Sequence, residues 1–356
     1  MNADPMSSMN RQSGSLGVDG ICHFVFASDD NFTVQLQAAV LSLLKVSVAV
    51  HSAQHVHVLD CGISDKKWRS VETRILLFAR RCSVPCKISR HHIDMHRFEQ
   101  FRIWNSSKAT YARLLLPSLL PEVQYCVYSD CDMLFFENPW ILVDVLRHEN
   151  VAVLGHQNPI DRDGKTMDER WFIKNNVPYN HASYFCAGLI ALDLDKFRKS
   201  GAVESMFDFL GRYHDVVSAD QTALNWYFRN ESALAPDGWG VFPRECFGDI
   251  NEIFAIHYSG GSPWKDVVSW YAYLMMKPVD DIWLSFVRST LGGNACRRRV
   301  LPSARFLGSL AMAIVRLIFL LKINLPFRRE FMRESYDVLH RHSALDNARK
   351  RLLDGL

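Results

Sequence analysis

The chain has 356 residues, a formal net charge of +3, 48% apolar and 22% charged residues, and nine cysteines. This is ordinary globular composition with enough length for a large core, and no stretch reaches the roughly 18 uninterrupted apolar residues of a spanning helix. The polar N-terminus has no apolar signal core, and the cysteines are scattered: Cys82 and Cys86 approach a ligand spacing without a second pair, so the thiols read as free and buried in a reducing cytoplasm.

Residues 1–20 are polar and Ser/Gly-rich and are expected to be disordered. Residues 21–27 form an apolar strand closed by Ser28-Asp29-Asp30-Asn31. Helical periodicity follows over 35–46, a strand over 55–59, an amphipathic helix over 65–81 and a third strand over 87–93. A helix is expected over 107–120, then a strand over 125–128 that runs into Ser129-Asp130-Cys131-Asp132. Strands alternating with helices predict an α/β sheet of mostly parallel order, with ligands beyond the carboxyl ends of the strands. Asp29, Asp30, Asp130 and Asp132 all lie at such ends. Helix N-capping is the alternative role for Asp29 and Asp30. His55, His57, His91 and His92 lie in or beside strands and read as structural or exposed.

Asp130 and Asp132 stand one residue apart. In an extended chain they would point to the same side. Carboxylates this close repel and resist burial, so a positive group belongs between them; a hard divalent cation carrying phosphate is the economical choice. An Asp-x-Asp pair also occurs by chance on protein surfaces, and it is the apolar strand before it that favours the metal. No glycine-rich phosphate loop is present, so a nucleotide would need a metal to hold its phosphates.

A strand over 151–154 precedes a long polar loop, 159–181, of the kind that serves as a lid or binding loop. Residues 184–192 form an apolar strand containing Gly188, where a ligand or backbone can approach closely. Asp220 and Gln221 open a helix, where Asp is also ordinary capping. His257 ends an apolar run before Gly260 and Gly261. One His and two Asp, with phosphate oxygens, suit Mn²⁺. Residues 297–356 carry thirteen Lys/Arg against five Asp/Glu, a balance of +8, leaving −5 for the rest. With the apolar run 306–321, this suggests a helix lying on anionic lipid, or else one packed on the body with a basic outer face.

Several motifs occur together in one order: Phe24-Val25-Phe26-Ala27-Ser28-Asp29-Asp30-Asn31-Phe32, Thr110-Tyr111-Ala112-Arg113-Leu114, Tyr128-Ser129-Asp130-Cys131-Asp132, Tyr184-Phe185-Cys186-Ala187-Gly188, Asp220-Gln221 and His257-Tyr258-Ser259-Gly260. Residues 21–264 thereby resemble glycosyltransferase family 8, which contains bacterial lipopolysaccharide and lipooligosaccharide galactosyl- and glucosyltransferases and glycogenin. The resemblance implies a single α/β domain of GT-A fold over 21–285, with 286–356 as a basic, apolar helical tail. It implies a retaining hexosyltransferase that uses Mn²⁺ and a UDP-hexose, galactose or glucose, and acts on a glycolipid or oligosaccharide such as lipopolysaccharide core. The tail resembles a membrane-attaching one, which would place the protein in the cytoplasm on the inner face of the plasma membrane, with no nucleic-acid partner.

By the same resemblance, Ala27, Asp29, Asn31 and Phe32 contact uridine, and Asp130, Asp132 and His257 hold the metal. Arg113 contacts the donor sugar, Asp220 binds its hydroxyls and Gln221 lies near the reacting carbon. Gly260 and Lys265 join the donor-binding set beside Asp130. The chain departs from the family twice. Cys186 replaces the usual Asn, removing an amide contact. The closing motif is one residue short and lacks a Lys before Pro263, so Lys265 would supply that charge from a shifted position. A catalytically impaired UDP-sugar or glycan-binding module of the same fold is the alternative, and a metal-dependent phosphohydrolase is a third reading that lacks a second ligand cluster.

Overall fold

A computed structural model describes residues 20–49, 52–103, 107–160, 163–247, 250–259, 262–266, 270–296, 302–303, 305–307, 309–311 and 343–356. The first half alternates: β1 (Ile21–Ser28), α1 (Thr33–Val46), β2 (Ala53–Asp60), α2 (Asp65–Arg81) and β3 (Cys86–His92). These strands are parallel neighbours. After a 3-10 helix, Ala109–Leu115, and the short α3 (Leu116–Leu119), the chain returns to the other side of β1 as β4 (Tyr125–Ser129). The strand order therefore reverses between β1 and β4, the place where open α/β sheets bind ligands.

The second half adds β5 (Met133–Phe135), α4 (Ile141–Glu149), β6 (Val153–Gln157), α5 (Met167–Lys174), β7 (Phe185–Asp193), α6 (Leu194–Lys199), α7 (Ala202–Arg212), α8 (Asp220–Tyr227), β8 (Ser232–Leu234) and β9 (Ala255–His257). The main sheet runs β3-β2-β1-β4-β7-β6-β8, and β5 pairs with β9 in a small separate sheet. β7 is antiparallel to both of its neighbours and buried along its whole length. Its uninterrupted apolar sequence is what such a central position demands.

Alternate residues serve opposite faces of the sheet. Phe24, Phe26 and Val127 join a core with α1, α2 and α4. Val25, Cys126 and Tyr128 face a second core that holds Phe98, Tyr111, Phe172 and Phe209. In α2 the apolar stripe Trp68, Val71, Ile75 and Phe78 turns inward, as its 3.6-residue period requires. The strand histidines form a chain: His57, buried, lies 3.0 Å from His23 Nδ1 through Nε2 and 3.1 Å from His91 Nε2 through Nδ1. Burial and the adjacent imidazoles push His57 down to about 2, so it is a neutral structural link.

Three expectations change. Asp130 and Asp132 lie in the turn between β4 and β5, and their convergence comes from that turn, not from an extended strand. Residues 107–120 are split between a 3-10 segment and α3, because Pro117 falls near the start of the α-helical turn. The 159–181 loop contains α5, started by a capping box in which Thr166 and Glu169 satisfy each other's backbone N–H groups.

Residue 285, the expected domain boundary, falls inside α9 (Trp270–Leu291). The last described helix, α10 (Ser343–Leu353), places Ala344, Leu345, Ala348 and Leu352 in the core shared with α1. Most of the 306–321 run lies outside the described residues. Phe306, Leu307 and Leu310 are described, and all three are exposed. Leu352 has no exposed surface. Leu352→Ala should therefore lower stability by about 2–5 kcal/mol. A urea unfolding midpoint equal to that of the parent chain would show that α10 is not part of the core.

Candidate active site

The carboxyl ends of β1 and β4 and the amino end of the antiparallel β7 open into a cleft of about 450 Å³. At its floor lies Arg113, 4% exposed, on the 3-10 segment. Its Nη2 pairs with Asp130 Oδ1 at 2.9 Å and its Nε with Asp220 Oδ2 at 2.8 Å. Nη2 also donates to Thr110 Oγ1 at 2.8 Å, and Nη1 donates to the Ala187 carbonyl. The guanidinium lies 4.2 Å from the centre of the Tyr128 ring. One buried cation thus ties together β4, β7 and α8.

The Asp-x-Asp turn is pinned from both sides by backbone. Asp130 N–H donates to Gly188 O and Tyr258 N–H donates to Asp132 O, each at 2.8 Å. The first bond fixes the turn on β7 and the second fixes it beside β9. Their side chains then meet His257, whose Nε2 is 3.3 Å from Asp132 Oδ1. Asp130, Asp132 and His257 offer ligand atoms that all lie within 4.8 Å of one another. Asp132 Oδ1 is buried, and beyond the His257 contact at 3.3 Å it has no hydrogen-bond partner of good geometry. Two carboxylates and an imidazole, one buried oxygen held only by the long His257 contact, fit a divalent cation that accepts oxygen and nitrogen.

Burial pushes the Asp130 carboxyl up despite Arg113, and Asp132 beside it acts in the same direction. Burial disfavours a charge on Asp132 too, but His257 and its hydrogen bond hold Asp132 below the usual range. Asp220 is pushed up to about 6 by burial, which Arg113 and Thr110 only partly offset. Gly188 is required here, because a methyl group in its place would collide with the His257 ring.

Asp220 and Gln221 open α8. The preceding Ala219 has φ 51° and ψ −123°, a conformation unfavourable for any residue with a Cβ. Gln221 is held against β7: its Oε1 accepts from Ala187 N–H at 3.0 Å and its Nε2 donates to Tyr184 OH at 3.3 Å. At the opposite rim, Asp29 Oδ1 accepts from the N–H groups of Asn31 at 2.9 Å and Phe32 at 3.3 Å. Asp29 therefore caps the turn while also lining the cleft. Asp30 points elsewhere, to Lys67 and Ser64 N–H. Phe32 meets Trp264 edge to face, with ring centres 6.3 Å apart.

Ala27, Asp29, Phe32, Arg113, Asp130, Asp132, Asp220, Gln221 and His257 all line this cleft. Asn31 and Lys265 are not among the described residues that line it, and Lys265 is exposed. Gly260 lies outside the described residues.

Two buried residues beside the cleft are absent from the sequence-based set. Asp168 on α5 accepts from Ser218 N–H at 3.2 Å and from the hydroxyls of Ser218 and Thr222, tying α5 to the start of α8. The Thr166-x-x-Glu169 capping pattern was its available signal. His156 stacks edge to face on His257, with ring centres 5.1 Å apart. It is a lone histidine at a strand end, displaced by an irregularity between Gly155 and His156, and no sequence pattern marks it.

The family model described as Glycosyl transferase family 8 matches residues 23–267. General stress protein A of Bacillus subtilis is 26% identical over 271 residues, which is 69% of this chain and 88% of that protein. Among solved structures, the galactosyltransferase LgtC in complex with donor and acceptor sugar analogs superposes with a TM-score of 0.62 at 21% identity, covering 75% of this chain and 96% of that one. The bifunctional glycosyltransferase WbbM, in its apo form, gives a TM-score of 0.59 at 18% identity over 77% of this chain and 51% of its own. The structural likenesses carry the α/β fold of these enzymes, and the family model covers most of the chain, the residues of the candidate cleft included. The chain belongs to glycosyl transferase family 8.

Proposed function

We propose that the protein is a retaining hexosyltransferase that uses a divalent cation, Mn²⁺, and moves galactose or glucose from a UDP-sugar to a glycolipid or oligosaccharide acceptor such as lipopolysaccharide core. The observation that carries this reading is the meeting of Asp130, Asp132 and His257 in one cleft with Arg113, Asp220 and Gln221. Those three ligands would hold the cation, which when bound neutralises charge on the diphosphate as a Lewis acid.

Ala27, Asp29, Asn31 and Phe32 form the proposed uridine end, with Phe32 and Trp264 as an apolar edge. Asp220 accepts from hydroxyls of the donor sugar. Arg113 keeps Asp130 and Asp220 apart and charged in the low-dielectric floor. The bond from C1 to the diphosphate oxygen breaks and a bond from C1 to the acceptor oxygen forms. The acceptor's proton passes to the leaving phosphate oxygen on the same face. Gln221 is a poor nucleophile and is already bonded to β7, which favours front-face attack over a covalent intermediate. Its amide oxygen would steady positive charge at C1.

No helix among the described residues is long and apolar enough to cross a membrane. A cytoplasmic, peripheral location rests on the exposed Phe306, Leu307 and Leu310 and on the basic 297–356 segment. Anionic lipid attracts each nearby basic residue by about 1 kcal/mol.

Release of UDP from a UDP-sugar panel, with and without Mn²⁺, tests the activity. Asp132→Asn should bind Mn²⁺ weakly and slow transfer by roughly 100-fold or more while melting normally. Transfer that persists in excess chelator would remove the metal from the reading. A protein that binds UDP-sugar but never turns it over would be a binding module.

The acid limb gives a second test. Above about pH 6 Asp220 is charged and accepts from the donor; as pH falls through that value it gains a proton and loses both roles. kcat/KM should decline there, and Asp220→Asn should be low and flat across the same range.

Membrane attachment is read from co-sedimentation with anionic vesicles. Replacing Phe306 and Leu310 together by Ser should weaken it by about tenfold or more, given the apolar area withdrawn. Salt should weaken binding of the parent chain without abolishing it, because burial is not screened. Equal pelleting of parent and variant would move the attachment elsewhere.

A further inference from the structure

Behind the carboxylate pair lies a second donor set. His156, Cys186 and His257 are all buried and offer ligand atoms that lie within 4.8 Å of one another. Cys186 Sγ is 3.9 Å from His257 Nδ1, on the side of the imidazole away from Asp132. His156 has no exposed surface, and neither ring nitrogen makes a hydrogen bond of good geometry; the Gln157 backbone lies beside it and its ring packs on His257 and Phe242. A buried polar group left without partners is rare and points to an occupant such as an ion or water. Two glycines clear the space: a methyl at Gly240 would collide with the His156 ring, and one at Gly188 with His257.

We infer that His156, Cys186 and His257 form a site for a thiophilic divalent cation, Zn²⁺ being the natural occupant, separate from the Asp130–Asp132 position. One thiolate and two imidazoles are a zinc donor set, with the fourth position left to solvent. Around tetrahedral zinc such donors stand about 3.4–3.6 Å apart, so Cys186 Sγ and His257 Nδ1, now 3.9 Å apart, must close by about 0.4 Å and no pair by more than about 1.4 Å. Cys186 and His257 line the cleft, which gives the ion its entry. On binding, the Cys186 S–H proton leaves to solvent, bonds form from the metal to sulfur and two nitrogens, and no electron is transferred.

The site has a consequence for the cleft, and this part rests on the proposed role of His257 as a ligand of the catalytic cation. A neutral imidazole has a single lone pair in its plane. Bound to Zn²⁺ through Nδ1, His257 carries its proton on Nε2 and donates to Asp132. It then has nothing to give a cation held by Asp130 and Asp132. The two sites are mutually exclusive through one ring, and Zn²⁺ acts as an inhibitor that competes with Mn²⁺ without occupying its position.

The test uses the full chain with Co²⁺ as a spectroscopic stand-in for Zn²⁺. We expect bound Co²⁺ to show a thiolate charge-transfer band that Zn²⁺ displaces. Cys186→Ser should abolish the band, and His156→Gln should weaken Co²⁺ binding by about 100-fold or more. Asp132→Asn should leave the band in place. A bound Co²⁺ without the band, or a band that survives Cys186→Ser, would overturn the site. Should either variant fail to fold, alkylation of Cys186 in the parent chain decides: Zn²⁺ should protect it, and unchanged labelling would overturn the site. Mn²⁺ binding, followed by electron paramagnetic resonance, should fall as Zn²⁺ is added. Simultaneous binding with unchanged affinities would overturn the exclusion. If the parent chain binds no Mn²⁺ while the thiolate band stands, the zinc site survives and the catalytic-metal reading does not.

Discussion

The site depends on one buried charge. Arg113 sits at 4% exposure with Asp130 on one side and Asp220 on the other, and the face of Tyr128 lies against it. A guanidinium suits the position because it stays charged and presents several donors in a fixed plane. Leaving either carboxylate buried without it costs about 3–5 kcal/mol, so the three charges stand or fall together. The acidic cleft is thereby affordable: it holds five lining carboxylates, Asp29, Asp130, Asp132, Asp168 and Asp220, in one pocket. Arg113 answers two of them from beneath and leaves the upper side of the Asp-x-Asp turn for a ligand.

Backbone geometry does the remaining placement. The main sheet supplies β4 and β7, and the small β5–β9 sheet supplies His257. The Asp-x-Asp turn is the hinge between these two sheets, bonded to Gly188 of one and Tyr258 beside the other. The imidazole and the carboxylates therefore meet at a seam. Gly188 keeps that seam narrow, since any side chain there would displace the ring. Ala219 is the strained link at the opposite wall; its unfavourable backbone is what turns Asp220 and Gln221 into the cleft at the first residues of α8.

Much of this was legible in the sequence, for identifiable reasons. Periodicity marked α2 at both ends, because its apolar stripe is bounded by Ser64 and Cys82. β1 and β7 were legible because they are buried on both faces and read as largely apolar runs, and β2 because Val56, Val58 and Leu59 stand in a short run closed by Asp60-Cys61-Gly62. Most residues of the ordered motifs fall in the cleft, since the carboxyl ends of β1 and β4 and the amino end of β7 meet at one edge. What failed was local geometry. Two aspartates in a turn and two in a strand are spelled alike, and only the pairing of Met133 with His257 separates them. Capping in the 159–181 stretch was spelled out by Thr166 and Glu169 but outweighed by the polar composition around it. His156 was illegible: its meaning comes from β6 bringing it opposite Cys186 across the sheet, a fact of strand pairing alone.

The packing of α10 on α1 carries a consequence for how the chain is made. Lys45 at the end of α1 donates through Nζ to the Asp354 carbonyl at 2.8 Å, across 309 positions of sequence. Contacts this distant in sequence are slow to form, because the intervening loop must close first. During synthesis α1 emerges early; α2 and β5 cover much of its apolar face, and the part that α10 covers waits until residues near 352 have cleared the ribosome. The nascent chain thus carries an unfinished core for most of its translation, an interval in which a chaperone that covers apolar helix faces has something to hold.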